Sequence, residues 1–173
     1  TLTDPLIADT DGDGLDDGDA RDPDPLDADF DDDGVADGAE VLVHLTNPVD
    51  PDTDTDGLPD GLELGVSARI PGGTTIGGAV FFGTDGDDFA PDADPATTTN
   101  PLAIDTDVDG VNDGDEDRDG DGRFDGDQPG VEDDETDPNR VDTDADGFSD
   151  AQEGANERRD TDSDGIIDAL DTD

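Results

Sequence analysis

Residues 52–63 read Asp-Thr-Asp-Thr-Asp-Gly-Leu-Pro-Asp-Gly-Leu-Glu, and the pattern of this stretch decides how the chain folds. Carboxylates stand at positions 1, 3, 5, 9 and 12, a glycine stands at position 6, and an apolar residue stands at position 7. The pattern recurs seven times along the chain. The copies, called loops 1 to 7 below, are residues 9–20, 29–40, 52–63, 105–116, 117–128, 142–153 and 160–171.

The pattern varies mainly at position 12. All seven loops keep carboxylates at positions 1, 3, 5 and 9 and glycine at position 6, whereas position 12 is Ala20 in loop 1 and Gln128 in loop 5. We therefore expect these two loops to be the weakest or most irregular. The residues considered as replacements are Asp19 and Asp22 in loop 1, and Asp127 and Glu132 in loop 5.

The composition leaves few classes of protein open. The 173 residues include 55 Asp and Glu but only 7 Lys and Arg, for a net charge of −48. A chain with so few large apolar residues and so much charge either stays disordered or folds around cations. A globular enzyme core is therefore not expected, and the carboxylates are better explained as ligands than as catalytic groups. Like charges exclude nucleic acid as a partner, and the absence of any long apolar run excludes membrane insertion.

The loop spacing matches the needs of Ca²⁺, which takes six to eight oxygen ligands in a flexible geometry. Side chains at positions 1, 3 and 5 converge if the chain curls, and glycine at position 6 allows the curl. Position 7 offers its backbone carbonyl, position 9 reaches the ion directly or through water, and position 12 closes the coordination. Zinc and copper prefer Cys or His ligands, but the chain has no Cys and a single His.

These roles define a set of predicted metal ligands, together holding seven or more Ca²⁺. In loops 1 to 3 they are Asp9, Asp11, Asp13, Leu15, Asp17, Asp29, Asp31, Asp33, Val35, Asp37, Glu40, Asp52, Asp54, Asp56, Leu58, Asp60 and Glu63. In loops 4 and 5 they are Asp105, Asp107, Asp109, Val111, Asp113, Glu116, Asp117, Asp119, Asp121, Arg123 and Asp125. In loops 6 and 7 they are Asp142, Asp144, Asp146, Phe148, Asp150, Glu153, Asp160, Asp162, Asp164, Ile166, Asp168 and Asp171.

A turn signal precedes most loops by five residues. It consists of Asp or Asn followed by proline, which starts a turn and blocks a helix. We call these dipeptides the lead-ins, and they are Asp4-Pro5, Asp24-Pro25, Asn47-Pro48, Asn100-Pro101 and Asp137-Pro138. The repeat unit is thus a turn, a loop and a short apolar segment.

The spacers between loops argue against EF-hands, which need a helix on each side of the loop. Residues 21–28 contain two prolines, loops 4 and 5 abut, and only residues 40–45 suit a helical turn or a short strand. The units at residues 9–18 and 52–63, with lead-ins such as Thr136-Asp137-Pro138, instead resemble the thrombospondin type 3 repeat family in its bacterial surface-protein form. The resemblance covers residues 1–66 and 93–173.

The resemblance implies an extended array of calcium-binding loops with little regular secondary structure and more than one ion per repeat. It also implies a secreted or cell-surface location, often as a stalk beside other domains. The termini fall within repeat-like sequence, so we expect a segment of a longer array or a processed product.

Residues 67–98 interrupt the repeats and divide the chain into loops at 1–66, an insert at 67–98 and loops at 99–173. The β-forming residues Ile76, Val80, Phe81 and Phe82 predict a small hairpin. We expect this hairpin to pack on the neighbouring loops; the alternative is a partner-binding patch at Phe81 and Phe82. Asp85, Asp87, Asp92 and Asp94 are candidates for an additional calcium site.

The sequence therefore predicts a spacer or stalk that calcium stiffens outside the cell. The alternative is an adhesive or self-assembling module, such as a filament subunit with calcium-dependent end-to-end contacts. The expected partners are calcium ions, copies of the chain, or neighbouring domains of a longer chain.

Overall fold

The computed structural model describes residues 2–87, 89–127 and 134–172 and contains little regular secondary structure, which confirms the predicted irregular fold. Gln128 and Glu132 lie outside the described residues. The α-helices are single turns: α1 (Asp37–Ala39), α2 (Asp60–Glu63), α3 (Asp113–Glu116) and α4 (Asp150–Glu153). A π-helical turn follows α1 at Glu40–His44, and 3-10 turns occupy Ala155–Glu157 and Asp168–Leu170. Strands β1 (Gly73–Thr74) and β2 (Val80–Phe81) form one antiparallel pair.

Each α-helix begins at position 9 of a loop, where the chain has just left an extended conformation at position 8. Pro59, with φ of −65° and ψ of 142°, is the extended residue before α2. The backbone N–H of position 9 donates to the carbonyl of the residue before position 1, as Asp60 does to Pro51 at 2.8 Å. This bond closes the loop into a ring. The same bond forms from Asp17 to Ala8, Asp37 to Ala28, Asp113 to Ile104, Asp150 to Val141 and Asp168 to Arg159.

Two positions in each loop have positive φ. The glycine at position 6 does so in every loop, with φ of 111° at Gly57 in loop 3, which confirms the predicted curl. Position 4 is also left-handed in every loop, although loops 2, 3, 4, 6 and 7 carry a residue other than glycine there. Thr55 and Val108 are the least suited of these to a left-handed conformation, with φ of 66° at each, because their side chains are β-branched.

The loops stack through a bond from position 10 of one loop to position 5 of another. Gly61 N–H donates to Asp33 Oδ2 at 3.0 Å, so loop 3 stacks on loop 2. Gly114 N–H donates to Asp56 Oδ2 at 3.3 Å, so loop 4 stacks on loop 3. Ala151 N–H donates to Asp109 Oδ2 at 2.8 Å, so loop 6, and not loop 5, stacks on loop 4.

Apolar burial in the stack is small. Leu15, Val35, Leu58 and Val111, the position 7 side chains of loops 1 to 4, are each at most 5% exposed. Val111 also joins Ala155, Ile167 and Ala169 in the described core cluster. By contrast, Phe148 at position 7 of loop 6 is 58% exposed. Such small clusters fit the composition, which has little apolar area to offset the entropy of the ordered chain.

The insert contains the predicted hairpin and packs on the first two loops. Phe82 exchanges backbone hydrogen bonds with Leu26 and Ala28, at 2.7 and 3.3 Å. Thr75 donates its hydroxyl to Asp4 Oδ2 at 2.6 Å. The accessible surface of 8686 Å² is close to the roughly 8000 Å² of a compact monomer of this mass.

No helix in the described ranges has the length and apolarity needed to span a bilayer.

Candidate metal centres

The position 1 carboxylate sets the shape of each loop. In loop 3, Asp52 Oδ1 accepts the N–H of Thr55 at 2.8 Å, and Asp52 Oδ2 accepts the N–H of Gly57 at 3.1 Å. These two bonds hold the two positive-φ residues in place. The position 1 residues of loops 1, 4, 5, 6 and 7 bond positions 4 and 6 in the same way: Asp9, Asp105, Asp117, Asp142 and Asp160.

In loops 1 to 4 and 6, the position 3 carboxylate keeps one oxygen free of hydrogen bonds. In loop 3, Asp54 Oδ1 accepts the N–H of Asp56 at 3.2 Å, whereas Asp54 Oδ2 is buried and has no hydrogen-bond partner. The same orphaned oxygen occurs at Asp11, Asp31, Asp107 and Asp144. Burying an ionised carboxylate oxygen without a partner is costly, so this atom is suited to a cation.

Within loops 1 to 3, the carboxylates at positions 1, 3 and 5 converge as predicted. One oxygen from each of the three residues lies within 4.8 Å of the others. We call these groups the intraloop clusters, and they are Asp9, Asp11 and Asp13; Asp29, Asp31 and Asp33; and Asp52, Asp54 and Asp56. Position 5 contributes one oxygen to fixing the chain, since Asp56 Oδ1 accepts the N–H of Leu58 at 2.8 Å.

A second kind of cluster lies between stacked loops. Asp33 and Glu40, from positions 5 and 12 of loop 2, meet Asp60 from position 9 of loop 3 within the same 4.8 Å limit. The next interloop cluster repeats this arrangement with Asp56, Glu63 and Asp113. The structure thus brings the position 9 carboxylates Asp60 and Asp113 to the loop before them in the stack. Residue spacing inside one loop carries no signal for this. That position 9 also binds an ion in its own loop stays a prediction.

A threonine at position 2 orients the position 9 carboxylate. Asp60 accepts the N–H of Thr53 at 2.8 Å and its hydroxyl at 2.6 Å. The Thr53 oxygen in turn accepts the N–H of Asn47 from the lead-in, at 2.9 Å. We call this chain of bonds the threonine clasp. It recurs in loops 1, 4 and 6 with Asp4, Thr10 and Asp17; Asn100, Thr106 and Asp113; and Asp137, Thr143 and Asp150.

A second threonine orients the position 12 glutamate. Thr99, which directly precedes the lead-in of loop 4, donates its hydroxyl to Glu63 Oε1 at 2.9 Å. The other oxygen, Oε2, is buried without a hydrogen-bond partner, and Glu63 is 2% exposed. Glu40 and Glu116 are bonded equivalently by Thr46 and Thr136, and their Oε2 atoms are also orphaned. The threonine just before each of these lead-ins therefore orients the position 12 glutamate of an earlier loop.

Burial makes these carboxylates hard to ionise without a cation. It raises the pKa of Glu63 to about 9, with the charges of Asp56, Asp54 and Asp113 adding to the shift. Burial likewise raises the pKa of Glu40 and Glu116 to about 9 and that of Asp33 to about 8. A bound divalent cation would reverse this balance, because it stabilises the ionised form.

In loop 1, the structure separates the two residues considered for the missing position 12 ligand. Asp19 forms an ion pair with Arg21 at 2.7 Å. Asp22 has a buried, unpartnered Oδ1, and its charge acts on Asp11. Asp22 is therefore the residue suited to complete this loop.

In loop 5, the structure brings in a residue that the sequence analysis missed. Asp127 is exposed, whereas Glu135 is 1% exposed and accepts the N–H groups of Asp119 and Asp125, at 3.3 and 3.0 Å. Arg123, at position 7, pairs with Asp125. The scarcity of glutamate was the available signal, because only seven Glu occur and four of them stand at position 12.

The stack ends with loops 6 and 7. A cavity of about 250 Å³ between them is lined by carboxylates that include Asp146, Glu153 and Asp168. These are positions 5 and 12 of loop 6 and position 9 of loop 7, the same three positions as in the interloop clusters.

The position 7 residues of these loops are bonded through their amides. The N–H groups of Phe148 and Ile166 donate to the position 5 carboxylates of their own loops, at 2.8 and 2.9 Å. The role of the position 7 carbonyl stays a prediction.

Comparison of the chain with protein-family models, curated proteins and solved structures found no match. The resemblance to thrombospondin type 3 repeats therefore rests on the residues alone.

Proposed function

We propose that this chain is a calcium-binding structural segment, serving as a calcium-stiffened spacer or stalk in a secreted or cell-surface protein. The observation that carries the proposal is the set of orphaned oxygens. Among the described residues, the buried side-chain atoms without a hydrogen-bond partner are carboxylate oxygens, apart from one nitrogen of Arg158. Native proteins rarely leave buried polar atoms without a hydrogen-bond partner. Bound cations would account for all of these carboxylate oxygens.

The donor chemistry favours calcium over other ions. The clusters offer carboxylate oxygens only, which suits hard cations. Mg²⁺ demands octahedral geometry and retains several waters, so it is poorly matched to a site that gathers many carboxylates. Calcium accepts more ligands with irregular geometry. Seven Ca²⁺ would reduce the net charge from −48 to −34, so ions in the interloop clusters would lower the repulsion further.

A structural role follows from where the clusters lie. Each interloop cluster takes ligands from two loops, so an ion there fixes one loop against the next. Extracellular calcium modules bind with a Kd of about 10⁻⁴–10⁻³ M, so millimolar calcium would saturate the tighter sites. The extracellular location and the stalk role rest on the family resemblance.

The proposal is tested by counting ions and measuring dimensions. We expect equilibrium dialysis with atomic emission to find seven or more Ca²⁺ per chain at millimolar calcium, with few retained when Mg²⁺ replaces it. Small-angle scattering should show expansion when a chelator is added. Unchanged dimensions together with fewer than two bound ions would overturn the proposal. Calcium-dependent growth of the particle mass with concentration would favour the self-assembling module instead.

A further inference from the structure

We propose that a divalent cation site joins the insert to loop 5, with Asp92 and Asp94 from the insert and Asp121 from position 5 of loop 5 as its carboxylate ligands. The inference rests on the proposed function, since it takes calcium as the ion. It adds a site outside the repeated pattern.

Backbone bonds hold the insert against loop 5 at this place. Ala93 N–H donates to the carbonyl of Asp121 at 2.7 Å. The Thr97 hydroxyl donates to the carbonyl of Gly122 at 2.8 Å. Asp92 N–H donates to the Val66 carbonyl at 2.9 Å, which ties the same segment to the end of loop 3. Asp92 is thus fixed from both sides.

The Asp92 carboxylate has an oxygen that no protein group satisfies. The residue is 4% exposed, and its Oδ1 accepts the N–H of Asp94 at 2.7 Å. Oδ1 also faces Gly122, where an added Cβ would clash with it. Oδ2 is buried and has no hydrogen-bond partner. The negative charges of Asp94 and Asp121 act on Asp92. The orphaned oxygen is therefore part of a cluster of three carboxylates.

The arrangement parallels the interloop clusters. In loops 2 and 3, the position 5 carboxylate meets carboxylates of its own position 12 and of the loop stacked on it. Loop 5 has no acidic residue at position 12, and loop 6 stacks on loop 4. The insert contacts loop 5 at Asp121, and its two aspartates supply the carboxylates that position 12 and the stacked loop supply elsewhere. An all-oxygen, multiply acidic site of this kind suits Ca²⁺.

The test compares D92N with D115N in the full chain. Both variants remove one negative charge, but Asp115 is exposed on α3 and serves as the matched control. We expect D92N to bind one Ca²⁺ fewer than the wild type at equal free calcium, measured by dialysis and atomic emission. D115N should bind the wild-type number. In hydrogen exchange, calcium should protect the amide of Ala93 in the wild type and in D115N but not in D92N.

Two outcomes overturn the inference, and they differ from failure of the proposed function. If the wild type binds calcium and D92N keeps both the full count and the protection of Ala93, this site does not exist. If the wild type binds no calcium, the proposed function itself fails. If D92N also loses hydrogen-exchange protection in loops 2 and 3, the substitution has disturbed the fold beyond this site. D94N is then tested instead, because Asp94 is only half-buried and its replacement disturbs the fold less. D94N is then expected to weaken one site at least tenfold, and an unchanged titration would overturn the inference.

Discussion

Loops 3 and 5 carry the same carboxylates at positions 1, 3, 5 and 9 and the same glycine at position 6, yet they occupy different surroundings. Loop 3 lies between loops 2 and 4, and its position 9 residue is held by the threonine clasp of Thr53. Loop 5 has Arg118 at position 2, is bypassed by the stack, and contacts the insert and Glu135 instead. The carboxylate pattern therefore determines the conformation of the loop but not which part of the chain packs against it.

Loops 3 and 5 differ in the residues that flank them. Loop 3 has a lead-in before it and Thr99-Asn100-Pro101 after the spacer that follows it. Loop 5 follows loop 4 directly, so no lead-in or clasp precedes it.

Removing calcium at pH 8 is expected to have the largest effect. The folded-state pKa values of Glu40, Glu63 and Glu116 are raised to about 9 from 4.5, so the calcium-free folded chain binds more protons than the unfolded chain between these pH values. Its stability therefore falls as the pH rises through that window. At pH 8 with chelator, scattering should show a radius of gyration moving from about 16 Å toward the roughly 44 Å of an unfolded chain of 173 residues.

The control for this experiment is chelation at pH 4.5. There Glu40, Glu63 and Glu116, whose pKa values are raised to about 9, are largely protonated in the folded state. The repulsion among the buried carboxylates is then weaker, and we expect much less expansion. Equal expansion at both pH values would contradict the electrostatic account and would point to a calcium effect unrelated to the buried carboxylates.

Replacing Glu63 by Gln should weaken ion binding at the interloop cluster of Asp56, Glu63 and Asp113. The glutamine side chain of E63Q would keep an oxygen for the Thr99 hydroxyl but lose the charge of the orphaned Oε2. We expect one calcium site to weaken between tenfold and a hundredfold, which is about 1.4–2.7 kcal/mol in binding free energy. Isothermal titration measures the affinity, and calorimetric melting at fixed calcium should show a lower midpoint.

The matched control for E63Q is E157Q. Glu157 is exposed and lies in a 3-10 turn, so the same chemical change there should leave the titration unaltered. If E63Q also leaves the titration unaltered, position 12 does not bind an ion in loop 3. Calorimetry suits these variants because the chain has no Trp or Tyr to report unfolding by fluorescence.

Replacing Thr53 by Val should remove the clasp that distinguishes loop 3 from loop 5. The change leaves Asp60 Oδ2 and the N–H of Asn47 without the hydroxyl they bond. Because Asp60 is fully buried, we expect a loss of about 1.5 kcal/mol in unfolding free energy. Thr53→Ser retains the hydroxyl and is expected to cost less than half as much. A loss in Thr53→Ser with none in Thr53→Val would mean that the methyl group, and not the hydroxyl, stabilises the loop.

The sequence predicted the local part of the site because that part depends on residues close in the chain. Convergence of Asp52, Asp54 and Asp56 follows from their spacing, and the positive φ of Gly57 follows from its missing Cβ. The hairpin in the insert was predicted in part: Val80 and Phe81 form one strand, whereas Ile76 lies in the turn and the other strand is Gly73–Thr74. These features need no knowledge of which loops touch.

The nonlocal part could not be predicted in the same way. That Asp60 joins Asp33 depends on stacking, and that Asp22 is suited to loop 1 depends on Arg21 pairing with Asp19. The bonds from Ala93 and Thr97 to loop 5 join residues more than twenty positions apart. Periodicity is silent about such contacts, because the same loop pattern is compatible with several neighbours.

Position 4 offers the smallest and most local test of the comparison. Val108 in loop 4 and Gly120 in loop 5 share the left-handed conformation, with φ of 66° and 67°. Val108 is 82% exposed, so V108N removes little buried area, and asparagine tolerates this conformation better than valine. We expect V108N to raise the unfolding free energy by about 1 kcal/mol and the melting midpoint by about 3 °C.

The reverse change, G120V, isolates the backbone contribution. A Cβ at Gly120 would meet no atom within 4 Å, so a loss of stability there reflects the conformation and not a clash. We expect G120V to lower the melting midpoint if loop 5 unfolds together with the stack. If calorimetry instead shows V108N shifting the midpoint and G120V leaving it unchanged, loop 5 unfolds separately. The stability of loop 5 would then depend on its contacts with the insert and not on its carboxylate pattern.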